Sequence, residues 1–340
     1  MRTIQFAATK SLALLLLAAS LPVLAQTNWE VKKTLPIGGQ GSWDYLTVDP
    51  ATHRLFVPRG THTMIIDADS GKTLGDIPGQ KNAHGVAIVP EVGRGFITDG
   101  GGEGAIIIFD LKTYATLGKI AAQPDADGII YDPSVGRILV VSGDNGVLMS
   151  FKPDIDPTNG KIDAPINLGG KPEFLAADGK GKVYINLQDK DEVAVVDFKA
   201  GKVVARWPVA PGGSPVGMSI DTKTRRLFIG CRKPQKLIVM STDTGKVLSD
   251  LPIGAGVDAT KVDGGQAFAS CRDGSLAVAS ETSPGKFEIV QTVKTPQGAR
   301  TMGIDPTTHT IYLPTAEFET GSTGRPAPKP GTFMIVVVAR

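Results

Sequence analysis

Short apolar runs alternate along the chain with clusters of Gly, Pro, Asp and Asn, and one run recurs seven times in related form. The copies are DYLTVDP (44–50), HGVAIVP (84–90), DGIIYDP (127–133), EFLAADG (173–179), VGMSIDT (216–222), DATKVDG (258–264) and RTMGIDP (300–306). Their starts lie 40, 43, 46, 43, 42 and 42 residues apart. Each is followed by a turn and a second apolar run: LFVPR, GFITD, ILVVS, VYINL, LFIGC, AFASC and IYLPT. A polar hairpin then leads to a third run such as MIIDA or VAVVD, and a D-x-x-x-G-K-like turn precedes a weaker fourth. Runs this short, rich in Val, Ile, Phe and Tyr and bounded by turn formers, predict strands. None keeps a helical period over three turns. Four strands in a period of about 40–45 residues make one propeller blade. The expected fold is all-β, a seven-bladed β-propeller of four-stranded blades.

The ends of the chain fit that scheme. The seventh unit lacks a fourth strand, and WEVKKTLPI (29–37), ahead of the first unit, supplies one. Pairing the N-terminal strand 29–37 with the C-terminal blade closes the ring and removes an open sheet edge. Residues 27–340 are then a single domain. Residues 1–25 read as a signal peptide: Arg2 and Lys10, an apolar stretch from Ser11 to Leu21, and Val23-Leu24-Ala25 at the cut. Pro22 and the short run argue against a membrane anchor. The expectation is a periplasmic or secreted monomer with no membrane span after cleavage.

The repeats resemble the YVTN-repeat (YncE-like) family of seven-bladed propellers. FITD (96–99) and VYIN (183–186) are local versions of its naming motif, and the D-x-x-x-G-K turns followed by IPGQ, WPVAPGGSP or LPIGAG resemble it too. The likeness covers nearly all of the chain after residue 26, and blade 6 (258–299) departs most. The family is also similar to WD40-like and lactonase-type propellers. The resemblance implies the fold strongly and leaves open whether the protein binds or catalyses.

Composition narrows the partners. Hydrophobic residues make up 41% and charged ones 21%, with 41 Gly and 24 Pro, which suits a cored, turn-rich protein. Loss of Arg2 and Lys10 from 36 basic residues, against 34 acidic ones, leaves the remainder formally neutral. No general electrostatic footprint for nucleic acid remains.

Candidate chemistry collects where the seven repeats begin. If the first strand of each blade starts at the channel mouth, then Asp44, His84, Asp127, Glu173, Val216, Asp258 and Arg300 ring that mouth. Six of these seven are ionisable. One reading is a solvated collar in which Arg300 pairs with Asp44 or Asp258. A second is a site for a small polar ligand or an envelope protein partner, using Asp44, His84, Asp127, Glu173, Asp258, Arg300, His62, Arg232 and Arg272. A third is a metal-dependent lactonase-like hydrolase or lyase, with His84, Asp127 and Glu173 as catalytic candidates. Asp44, His62, His84 and Asp127 would then hold a divalent ion, calcium, magnesium or manganese rather than zinc. Clustered carboxylates require a cation, an arginine or raised pKa values.

The remaining motifs add little. Cys231 and Cys271 occupy equivalent places in units five and six. Sheets packed about 10 Å apart hold such positions beyond the roughly 4.4–6.8 Å a disulfide needs, so two buried thiols are expected. DGGGEG (99–104) opens no helix, and DIDPTNG (154–160) lacks the final Glu of a calcium loop. The polar loop AEFETGSTGRPAPKPGT (316–332) is a candidate lid.

Overall fold

The computed structural model describes residues 28–321 and 326–340, together with Met1 and Thr3; the expected signal peptide lies outside them almost entirely. The architecture is an all-β propeller. Among the described residues a single 3-10 turn, Pro90–Val92, is the only helical element. All strand pairs are antiparallel, and most join strands that follow one another along the chain.

Five sheets have four strands each. Their inner strands are Ala126–Asp132, Pro172–Ala177, Pro215–Asp221, Val257–Asp263 and Gly303–Asp305. In the last of these sheets, Glu30–Pro36 pairs with Met334–Ala339, as the pattern of the two termini suggested.

The expectation of seven separate four-stranded sheets needs correction. Units one and two share one seven-stranded sheet. The link is a single strand, Thr73–Val89. Its first half is largely exposed and pairs with Gly60–Asp67; its second half is largely buried and pairs with Arg94–Asp99. Ala83 serves both, facing Gly60 on one side and Asp99 on the other. The chain stays extended here instead of turning, so two units fuse into one ladder.

The core is a series of interfaces between consecutive sheets. Tyr184, Val193 and Val195 of unit four pack on Met218, Leu227 and Ile229 of unit five. Phe268 and Leu276 of unit six meet Leu313 and Val336 of unit seven. Close approach of the inner strands sets residue size. A Cβ on Gly217 would lie 2.9 Å from the Ala259 Cα, so only glycine fits there. No helix among the described residues is long and apolar enough to cross a membrane.

Candidate functional site at the channel mouth

Backbone irregularity aims the repeated position. His84, Asp127, Glu173, Val216 and Asp258 all lie where the register of an inner strand slips against its neighbour. Such bulges bend a strand and redirect its side chains. Asp44 and Arg300 come just before the first paired residues of their strands, Thr47 and Gly303. Polar residues of the second strands then fix these starts from the adjacent unit. Thr98 Oγ1 donates to the Asp127 carbonyl at 2.8 Å, Asn186 Nδ2 to that of Val216 at 2.9 Å, and Ser270 Oγ to that of Arg300.

One side of the mouth is acidic. His84 Nδ1 is 2.8 Å from Asp44 Oδ2 and 3.6 Å from Asp127 Oδ1. Burial works to lower the His84 pKa, but the hydrogen bond to Asp44 and the fields of Asp127 and Asp44 raise it to about 9. The ring is a cation at neutral pH. Its Nε2 stands 2.8 Å from the Asn82 amide nitrogen; a protonated ring requires that amide turned over, so that its oxygen accepts. Burial pushes Asp127 well above the usual carboxylate range; His84 opposes this, while Asp44 and Glu173 add to it. Asp127 Oδ1 is buried and has no hydrogen-bond partner among the described residues. Burial also raises Glu173 to about 7, with Arg232 opposing and Asp258 adding.

The other side is ruled by arginine. Asp258, whose side chain is 8% exposed, receives Arg232 on one oxygen and Arg300 on the other. Burial raises this carboxyl while the two guanidinium groups pull it back. Arg272 is exposed and forms no ion pair with a described residue, and its charge is felt with those of Arg300 and Arg232. The preceding cysteines are buried and unpaired, and burial pushes each thiol to about 12.

The acidic side holds a donor set for a metal ion. Asp44, His84 and Asp127 each offer a ligand atom, and these atoms lie within 4.8 Å of one another. Two carboxylate oxygens and an imidazole suit calcium, magnesium or manganese. An ion would have to displace the Nδ1 proton of His84.

His62 does not join them, which corrects the four-residue cluster expected from sequence. The position expected in a loop is part of the strand Gly60–Asp67, opposite Pro78, and its Nδ1 faces Thr61 Oγ1 at 3.1 Å. Asp99 is structural as well, accepting from the backbone of Lys81, Asn82 and Gly101. His53 and His309 occupy left-handed turn positions beside Asp69 and Asp263, away from the mouth. In the long final loop, Phe318–Thr320 pairs with Pro326–Pro328, and Phe318 packs on Trp43.

Three residues below the mouth were not singled out from sequence. Tyr45 and Phe174 hold the second position of their repeats, where the other units carry Gly85, Gly128, Gly217, Ala259 and Thr301. Their rings meet at 4.6 Å between centroids, and Tyr45 Oη donates to the Asp258 carbonyl at 3.3 Å. Units one, four and six thus touch across the axis, forming a septum. Lys261 holds the fourth position, where the others are Thr47, Ala87, Ile130, Ala176, Ser219 and Gly303. Size and charge anomalies within an aligned repeat were the signals that could have found all three.

No family model matches the chain, and no curated protein matches it either. Solved structures do. A chain of "Kuenenia stuttgartiensis Hydrazine Synthase" superposes with TM-score 0.68 at 14% identity, covering 85% of this chain and 95% of that one. The RRP9 WD40 repeats give 0.74 at 11%, covering 90% and 97%. A chain of the Mitotic Checkpoint Complex gives 0.74 at 12%, covering 96% and 100%. At such identities the likeness defines a class, the β-propellers, and nothing narrower.

Proposed function

We propose that this is an exported, seven-bladed propeller that binds a small polar ligand, bearing both a positive and a negative group, at its channel mouth. The blade count treats the seven-stranded sheet as two blades sharing Thr73–Val89, and the pairing of both termini in one sheet supports a closed ring. The YVTN-repeat likeness of residues 96–99 and 183–186 agrees with that count.

One observation carries the functional reading: a single repeated position is sorted into an acidic half and an arginine half. Asp44 and Asp127 share one histidine, whereas Asp258 meets Arg232 and Arg300 with Arg272 nearby, and Glu173 lies in the fields of Arg232 and Asp258. A ligand ammonium or hydroxyl would meet the unpartnered oxygen of Asp127, and its carboxylate or phosphate would meet Arg272. An envelope protein bearing the same pair of charges would use the same groups.

Thermal-shift screening of amino acids, hydroxy acids and dicarboxylates tests this. A two-charge class should raise Tm, and both Arg272→Ala and Asp127→Asn should abolish the effect. Stabilisation by simple anions that ignores Asp127→Asn would refute the two-sided site.

The donor triad of Asp44, His84 and Asp127 favours a second reading, a metal-dependent hydrolase or lyase. A bound ion would polarise a water or carbonyl there, with Glu173, raised to about 7, suited to proton transfer. Elemental analysis should then find a stoichiometric ion that is lost in Asp127→Ala.

A further inference from the structure

Beneath the septum the channel widens into a chamber of about 560 Å³, within the range of small-molecule sites. None of the ionisable mouth residues lines it. Its wall comes from the inner strands of every unit and from the turns at the opposite end, including Pro133, Gly179 and Thr222, so it opens away from the mouth. The wall is largely apolar, with Ile88, Ile129, Leu175, Met218 and Met302 among its residues.

One cation stands in this wall. Lys261 is half-buried in this wall, its Nζ over the Phe174 ring at 5.7 Å from the centroid. Among the described residues its ammonium has neither hydrogen bond nor ion pair. The carboxylate in the wall, Asp132, belongs to unit three; its Oδ1 accepts from the Ser134 backbone and its Oδ2 has no partner among the described residues, Lys261 included. Burial lowers the Lys261 pKa. A charge held against apolar walls without a counter-ion is costly, and six of the seven units do without one at this position. Such a group in an apolar chamber fits a ligand that brings the missing anion.

We infer that this lower chamber is a second binding site, taking a monoanionic amphipathic molecule whose carboxylate pairs with Lys261 while its apolar body lies along the channel wall. The site is separate from the mouth and stands or falls independently of the function proposed there.

Calorimetric titration with sodium octanoate, and with octanol as its neutral counterpart, tests the inference. The wild-type protein should bind octanoate. Lys261→Met, which keeps most of the unbranched side chain and removes the charge, should weaken octanoate about tenfold or more and leave octanol unchanged. Lys261→Gln provides the same test should the Met variant fail to fold. Arg272→Ala at the mouth should leave octanoate binding intact. Absence of octanoate binding, equal affinity in the charge-free variants, or weakening by Arg272→Ala instead would overturn it.

Discussion

The two halves of the mouth are built from the same position of the same repeat, yet they hold charge in opposite ways. In the arginine half, Asp258 is surrounded by permanent cations and is nearly sealed from water. In the acidic half, the cation between Asp44 and Asp127 is His84, which can lose its proton. One half is therefore electrostatically fixed and the other is a pH-dependent balance. A repeat supplies the geometry, and the side chain at a single point decides whether that geometry is rigid or adjustable.

The largest test of this contrast is to break the fixed half. Arg300→Met leaves a buried carboxylate with half its compensation and should cost about 3–5 kcal/mol in urea denaturation. Adding Asp258→Asn should recover much of that loss, because the orphaned charge goes with it. Recovery failing would mean Arg300 acts through packing and not through Asp258.

Next comes pH. A histidine raised in the folded state stabilises most below its unfolded value of about 6.5 and loses that contribution as pH climbs through about 9. Stability should fall across that window by at most about 3 kcal/mol, and His84→Gln should flatten the curve. Glu173 acts earlier. A carboxyl raised to about 7 loses stability as pH rises from its usual range to about 7, and Glu173→Gln should remove that slope. Arg300→Met should leave both slopes in place.

A smaller effect concerns what anchors the arginines. Cys231 and Cys271 precede Arg232 and Arg272 and are fully buried. Cys231→Ser should cost about 1–3 kcal/mol by burying a hydroxyl, and the native thiols should resist an aromatic disulfide reagent until the protein unfolds. The smallest change belongs to the far face, where His309→Ala removes an exposed contact to Asp263 and should cost under about 1 kcal/mol.

The period and its apolar runs made strand order and mouth positions legible, because both depend on local patterning that every copy repeats. Fusion of two sheets through Thr73–Val89 was not legible, since whether a chain turns at Gly79 or runs on depends on pairing from both sides. His62 does sit at a hairpin tip, where Arg59 N–H donates to its carbonyl, but that tip also pairs with Pro78 and keeps the ring from the acids. Equivalent sequence placement foresaw the separated thiols. The division of the mouth was only half visible. The acids and Arg300 stood out, but which of them would share one histidine depends on contacts between units one, two and three.

The most direct test of the account is the titration of the His84 imidazole, followed by NMR with nitrogen-15 labelling. With Asp44 and Asp127 gathered around one ring, the midpoint should lie near 9 and drop in Asp127→Asn. A midpoint at or below about 6.5, unmoved by that substitution, would mean that these three residues do not meet at a common mouth.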